Sequence, residues 1–283
     1  MKKIIAISAI AAAASFMVGN VMAADEPAAA PDTGPVTANV TLASQYRYRG
    51  ISQTNSLPAI QGGFDYAHES GFYIGNWNSN ISWLSDGYGT NPAVSAPIEM
   101  DIYAGYKTEV SEGLLLDVGL LQYYYPTKGL PNSSTYTGTT STYSARQAAG
   151  QSPNTTEAYI AATYGIAMLK YSYSLTNLFG IDQSKGAQYI DLSVNYDTGY
   201  EGITLNGHVG YQYVPSVSVA TGNLADPSFS YTDWKIGLTK DFGHGLAGSL
   251  AYIGTNANGY AYYSPSLDNT GKGTVVVSLT KTF

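Results

Sequence analysis

The sequence predicts an all-β protein, a transmembrane up-and-down antiparallel β-barrel of twelve strands. Apolar and polar side chains alternate with a period of two residues through most of residues 36–283. This is the period of a strand with one apolar face and one polar face. The connections between these segments are alternately short and long, which is typical of outer-membrane barrels. The barrel is expected to be closed, because lipid offers no hydrogen-bond partner to an open sheet edge.

Composition excludes several other classes of protein. The 283 residues carry a formal charge of −7, and charged residues make up only 12%, whereas 26 are Tyr and 31 are Gly. An acidic chain without a basic run argues against a nucleic-acid partner. The absence of Cys excludes disulfides, Cys-ligated metals and a Cys nucleophile. The sequence also lacks phosphate-loop, zinc-protease and calcium-loop patterns, so we predict no cofactor.

The N-terminus has the pattern of a cleaved signal peptide, residues 1–23. Lys2 and Lys3 precede an apolar run over residues 4–18, which is short for a membrane span, and small residues follow up to Ala23. A retained N-terminal anchor is the alternative. Residues 24–35 are rich in Ala, Pro and Asp and are predicted to form a disordered periplasmic lead-in. The barrel is then expected to cover residues 36–283, in the outer membrane of a Gram-negative cell.

The first predicted strand covers residues 36–49. Val40 and Leu42 lie on the face assigned to lipid, and the same alternation places Tyr46 and Tyr48 there. The opposite face carries polar residues and ends with Arg47 and Arg49, which are therefore predicted to point into the lumen near the outer mouth.

The next four strands continue the alternation. Their predicted lipid-facing residues include Ile60, Phe64, Tyr73, Trp77, Ile102 and Leu120. Their predicted lumen-facing residues include Asp65, Asn76, Asn78, Asn80, Glu99, Asp101 and Asp117. The third strand is assigned on the assumption that its aromatic residues meet the lipid headgroups.

Seven more strands complete the barrel. Their predicted lumen-facing residues include Glu157, Lys170, Asp191, His208, Asp233 and Lys235. Phe283 ends the last strand after apolar residues at alternate positions, a terminus typical of outer-membrane barrels. We therefore expect the barrel-assembly machinery, outer-membrane lipid and small hydrophilic solutes or ions as partners.

Loop lengths sort by parity along the chain. The connections after even-numbered strands are tight, whereas those after odd-numbered strands are longer, so all short turns are expected at one end. A soluble Greek-key sandwich has no reason to sort its loops in this way. The longest loop, residues 126–156 with Arg146, could narrow the pore or could be a surface loop.

Several segments resemble the TorF-type porins of proteobacteria. The most specific is Arg47-Tyr48-Arg49-Gly50-Ile51-Ser52-Gln53, and further similar segments are residues 58–66, 99–106, 123–126, 169–174 and 231–235. The likeness covers nearly all of the mature chain. It implies an outer-membrane channel and assigns no individual functional residue.

The predicted function is passive diffusion of ions and small hydrophilic solutes. The candidate pore-lining residues are Arg47, Arg49, Asp65, Glu99, Asp101, Asp117, Glu157, Lys170, Asp191, Asp233 and Lys235. Seven of these are acidic and four basic, which favours a mild cation preference. These charges could instead pair with each other and fill the interior. A non-conducting barrel, serving as an anchor or adhesin, is the main alternative.

Enzymatic activity is not expected. Some outer-membrane barrels are hydrolases that use a Ser–His or Asp–His arrangement, and this chain has only three His residues. His208 is the one placed mid-strand and inward, but no Ser lies at a useful spacing in the same predicted strand, and general base catalysis needs a positioned partner. His208 is therefore interpreted as a residue that fills the lumen.

Overall fold

The computed structural model describes residues 35–86, 95–128, 152–181, 183–215, 229–259, 261–264 and 268–283. The predicted signal peptide and nearly all of the predicted lead-in lie outside the described residues. So does most of the long loop, including Arg146.

Twelve antiparallel strands close into a barrel, as predicted. They are β1 (Val36–Ala43), β4 (Ala59–Ala67), β5 (Phe72–Asn80), β6 (Ile98–Ser111), β7 (Leu114–Tyr124), β8 (Thr155–Tyr164), β9 (Ala167–Ser174), β10 (Gln188–Asp197), β11 (Ile203–Tyr213), β12 (Tyr231–Gly243), β13 (Leu246–Thr255) and β14 (Thr274–Thr282). Two short strands, β2 (Arg47–Tyr48) and β3 (Ile51–Ser52), form a separate sheet. A short helix α1 (Trp83–Asp86) and a 3₁₀ turn (Leu178–Gly180) complete the described elements.

The first and last strands close the barrel. β1 pairs with β14, with Leu42 opposite Leu279, and with β4 on its other side. The tight connections all lie at the end where β1 begins and β14 ends, and the longer ones lie at the opposite end, here called the outer end. Left-handed residues shape these tight turns, for example Gly113 with φ 75° between β6 and β7.

The outside of the barrel is apolar. Exposed side chains are found on every strand, including Leu42, Ile60, Ile74, Ile102, Leu120, Ile160, Leu169, Ile190, Val209, Ile236, Leu250 and Val277. Exposed aromatic residues lie toward the strand ends, including Phe64, Tyr66, Tyr124, Tyr164, Tyr196, Tyr211, Trp234 and Tyr252. An apolar wall flanked by aromatic rings matches a bilayer and its two interfaces. Among the described residues, no helix is both long and apolar enough to cross a membrane.

One strand faces opposite to the prediction. On β5, Trp77 is buried in the interior and Tyr73 packs beside it, whereas Phe72 and Ile74 are exposed on the outer wall. The same alternation places Asn76, Asn78 and Asn80 on the outer wall. The alternation shows that the strand has two different faces, but it does not show which face points to lipid. The aromatic face of β5 was therefore wrongly assigned to lipid.

The first strand is shorter than predicted. β1 ends at Ala43, and residues 44–57, here called the inner segment, turn into the barrel and contain the β2–β3 hairpin. Tyr46 and Tyr48 are only 1% and 6% exposed, so their assignment to the lipid face was wrong. Side chains on both faces of residues 45–54 are buried, because the barrel wall surrounds them.

Buried apolar residues fill the outer half of the interior. One cluster packs Tyr46 and Tyr48 of the inner segment against Trp77, Tyr123 and other wall residues. A second cluster packs Ile51 against residues of the outer loops and strand ends, including Leu178, Val214, Phe229 and Tyr262. The protein thus has its packed core inside the barrel, at the outer end.

Candidate functional site: the barrel interior

Arg49 lies at the centre of the interior contacts made by the inner segment. Its guanidinium contacts Glu157 of β8 at 2.7 Å and donates to Gln212 of β11 at 2.5 Å. It also lies over the rings of Tyr189 and Tyr48, at 4.2 and 4.9 Å from their centroids. The Arg49 and Glu157 side chains are 1% and 3% exposed, so this is a buried ion pair that ties the segment to the wall, and the bond to Gln212 adds a second strand.

The backbone around Arg49 is unusual. Arg49 has φ 44° and Gly50 has φ 77°, so two successive residues are left-handed. A Cβ at Gly50 would lie 2.9 Å from Asp233 Cβ and still closer to Thr255. Gly50 is therefore required both by its conformation and by the close approach of the hairpin to the wall.

Arg47 ties the inner segment to the loop between β13 and β14. It donates to the carbonyl oxygens of Thr270, Gly50 and Lys272 at 2.7, 3.0 and 3.2 Å, and to Gln45 Oε1 at 2.7 Å. Burial lowers the pKa of Arg47 to about 10, which leaves it protonated at neutral pH. The charge thus stabilises the segment rather than facing open water.

Tyrosine hydroxyls connect the inner segment to acidic wall residues. Tyr46 and Tyr125 each donate to Glu99, at 2.7 and 2.8 Å, and the hydroxyls of Tyr48 and Tyr123 lie 2.9 Å apart. Asp101 lies next along the same face of β6 and is 0% exposed. Neither of its carboxylate oxygens has a hydrogen-bond partner among the described residues.

Tyrosines and charged residues also line the half of the interior nearer the tight turns. Tyr73 donates to Asp117 at 2.6 Å, and Tyr103 donates to Asp65 at 2.5 Å. Lys170 lies over the Tyr159 ring, 4.4 Å from its centroid. These groups belong to β4–β9 and form one charged, aromatic wall.

The facing wall, formed by β1, β13 and β14, is neutral and hydroxyl-rich. Thr41 of β1 hydrogen-bonds Thr280 of β14 at 2.8 Å, and the hydroxyls of Ser249 and Ser278 lie 2.7 Å apart. Thr239 of β12 donates to Asn206 at 3.1 Å. The interior therefore offers charged and aromatic groups on β4–β9 and small neutral hydrogen-bonding groups on β1, β13 and β14. The intervening strands β10–β12 add the charged residues Asp191, His208, Asp233 and Lys235.

Four of the interior tyrosines lie flat over glycines of neighbouring strands. The pairs are Tyr73 with Gly105, Tyr103 with Gly75, Tyr159 with Gly119 and Tyr189 with Gly210. A Cβ at any of these glycines would overlap the ring or hydroxyl of its tyrosine. Glycine lets each ring lie against the wall instead of standing across the lumen.

We expect Gly119→Ala to destabilise the barrel by about 1–3 kcal/mol, because Tyr159 must leave its place on the wall. Gly207→Ala is the matched control, since a Cβ there meets nothing within 4 Å. Urea unfolding of both variants in phospholipid vesicles measures the difference. Equal stabilities of the two variants would show that the Tyr159 ring does not depend on the space above Gly119.

His208 lies between two carboxylates. Its Nδ1 is 2.6 Å from Asp191 and its Nε2 is 2.7 Å from Asp233. Ser193 lies close by, but its hydroxyl donates to Asp191 at 2.8 Å. Both ring nitrogens thus face acceptors, which favours an imidazolium over a base that could activate a serine.

All eleven candidate pore-lining residues lie inside the barrel. Nine are on the inner faces of the strands: Asp65, Glu99, Asp101, Asp117, Glu157, Lys170, Asp191, Asp233 and Lys235. Arg47 and Arg49 are also inside but on the inner segment, so their predicted place on the wall of the first strand was wrong. The alternation placed Tyr123, Tyr159 and Gln212 on the inner faces without marking them as pore-lining, whereas Tyr46, Tyr48 and Trp77 were assigned to lipid and lie inside. The sequence shows the alternation of these strands, but it does not show that residues 44–57 turn into the barrel.

The described residues include no group of three or more His, Asp or Glu side chains arranged to hold a metal ion. The contacts present are ion pairs, hydroxyl–carboxylate bonds and ring contacts. Such groups can bind or repel a hydrated solute.

A family model matches residues 26–283. The chain belongs to the Gcw_chp family. That family is described as bacterial proteins of unknown function, and no curated protein significantly matches the sequence of this Gcw_chp protein.

A solved structure with a similar fold is that of the KdgM porin. The KdgM porin is 7% identical, with a TM-score of 0.50, and the match covers 87% of this Gcw_chp chain and 99% of the porin. The same porin in complex with disordered oligogalacturonate gives the same values. OccD1 (OprD) is 10% identical, with a TM-score of 0.38, and the match covers 89% and 66% of the two chains. At these identities the KdgM likeness concerns the fold.

Proposed function

We propose that this protein is an outer-membrane channel for passive diffusion of ions and small hydrophilic solutes, narrowed at its outer end by the inner segment. The observation that carries the proposal is the contrast between the two faces of one closed wall. The outside carries exposed apolar side chains on every barrel strand, whereas the inside carries charged, amide and hydroxyl groups. This arrangement is typical of barrels that hold a polar path through lipid.

The proposal includes the route to the membrane. Residues 1–23 act as a cleaved signal peptide, and the last strand, ending at Phe283, is recognised by the barrel-assembly machinery. The Arg47–Gln53 segment supports a place among the TorF-type porins. The protein has no catalytic role, which the two carboxylates around His208 support.

In the half of the lumen nearer the tight turns, the solute path runs between the charged aromatic wall of β4–β9 and the hydroxyl-rich wall that faces it. Here Asp65 and Asp117 face the same space as Lys170, so the charge along the path is mixed. Glu157 is paired with Arg49, and the single charge of a protonated His208 offsets one of the two carboxylates of Asp191 and Asp233. We therefore expect the cation preference to be weaker than the number of acidic residues implies.

A non-conducting barrel is the second candidate. The tight burial of Arg49, Tyr46 and Tyr123 favours it, since these side chains block the outer half of the interior. In that case the barrel would be an anchor or adhesin that presents its outer loops.

Planar bilayer recording of the purified mature protein separates the two candidates. We expect small but resolvable current steps and a weak cation preference in a tenfold salt gradient. The preference should fade as the salt concentration rises, because the electrostatic screening length becomes shorter. Oligogalacturonate is a useful anionic probe, since the KdgM porin was solved with it. Absence of current, in a preparation whose barrel fold is verified by circular dichroism, would support the non-conducting barrel.

A further inference from the structure

The outer wall carries a row of amides on one strand. Asn76, Asn78 and Asn80 occupy successive outward positions on β5, between the exposed apolar strands β4 and β6. Phe72 and Ile74 precede them on the same face and are 62% and 53% exposed. The row is therefore a polar stripe beside exposed apolar residues of β4 and β6.

The apolar wall extends on both sides of the stripe. Asn76 lies between Phe64 and Ile102, which are 55% and 48% exposed. At the outer end, Ile60 donates its backbone N–H to the Asn80 side chain and is itself 58% exposed. Asn76 thus has exposed apolar neighbours on both adjoining strands, and Asn78 and Asn80 continue the row toward the outer end.

The barrel itself satisfies the amides only in part. Asn76 donates to the Asp101 carbonyl at 3.0 Å, Asn80 donates to the Pro58 carbonyl at 3.3 Å, and Asn78 donates to Asn76 Oδ1 at 2.5 Å. Each side-chain amide has two N–H groups. The second N–H of Asn76 and that of Asn80 have no acceptor within the part of the chain that the structure describes, and lipid offers none.

The shape of the wall allows close approach here. Gly62, beside Asn78 on β4, presents no side chain to the outside. The stripe is also uncharged. A second protein surface could therefore meet it without burying a charge.

We propose that this face, β4–β6 with Asn76, Asn78 and Asn80, is the contact between two copies of this chain in a two-fold dimer. Two copies inserted in the same direction can be related only by an axis along the membrane normal. A residue near that axis meets its own counterpart at the same depth, so the surface must complement itself. An amide does this, because it is both donor and acceptor, whereas a carboxylate or an ammonium group would repel its copy.

Cysteine crosslinking in membranes tests the contact. The chain has no Cys, so each single variant reports on one position. We expect at least one of Asn76→Cys, Asn78→Cys and Asn80→Cys to form a covalent dimer under mild oxidation. Val209→Cys is the control, because β11 lies six strands from β5 in the closed order and Val209 is 46% exposed. Failure of all three, or equal crosslinking at Val209, would overturn the proposal.

Oligomeric state gives the second readout. Native mass spectrometry of the wild-type protein in detergent should show a dimer, and replacing all three asparagines with Leu should give a folded monomer. Leu suits a lipid-facing position, so the variant is expected to keep the barrel. A wild-type monomer, a trimer, or a dimer unchanged by the triple replacement would each contradict the proposed contact. A monomer carrying bound lipid would assign the stripe to lipid instead.

Discussion

Arg49→Ala should open the outer half of the channel. The change removes the guanidinium that joins the inner segment to Glu157 and Gln212, and it leaves the Glu157 carboxylate buried without its partner. Breaking a buried ion pair from one side costs about 3–5 kcal/mol. The inner segment is a separate hairpin and not a barrel strand, so we expect this loss to release the segment rather than unfold the barrel. Single-channel conductance in planar bilayers should rise several-fold.

Two further variants separate release of the segment from a change of charge. Arg49→Lys retains the charge but lacks the planar fork that contacts Glu157 and Gln212 together, so it should give an intermediate conductance. Lys185→Ala removes a charge from an exposed outer loop and should leave conductance near the wild-type value. If Arg49→Ala and the wild type conduct equally, the inner segment does not limit the path.

Leu120→Arg should destabilise the protein by about 2–4 kcal/mol, the cost of a charge on the lipid face of a barrel near the middle of the membrane. Leu120 is 54% exposed on the outer face of β7, between Ala104 and Ala158. The guanidinium has no acceptor in the hydrocarbon region. Urea unfolding in phospholipid vesicles measures the loss.

Asn39→Arg is the comparison for Leu120→Arg. Asn39 lies on the inner face of β1, where water and polar side chains can solvate a charge. We expect a clearly smaller loss of stability, together with altered conduction. Equal losses for the two variants would mean that the inside and outside of the wall do not differ as the exposed residues indicate.

Alternation along the strands predicted the faces of some interior residues and not of others. The inner-face assignment of Asp65, Asp117 and Lys170 followed from alternation alone, because a strand has only two faces. Trp77 and Asn78 belong to a strand with the same two-residue alternation, but each points to the face opposite to the one predicted. Their faces depend on what lies across the lumen, and Trp77 packs against Tyr46 of a segment that local pattern had assigned to the wall.

The sequence by itself determined the class of fold, the number of strands and the end at which the tight turns lie. These depend on local alternation and on loop length, which are read from neighbouring residues. Only the tertiary structure decided that residues 44–57 enter the barrel, that Arg49 meets Glu157, and that three asparagines face outward. Each of these depends on groups distant along the chain, and the Arg49–Glu157 contact spans 108 positions. Such contacts form because closure of the wall brings distant strands face to face across the lumen, and alternation along one strand does not show which residues will meet there.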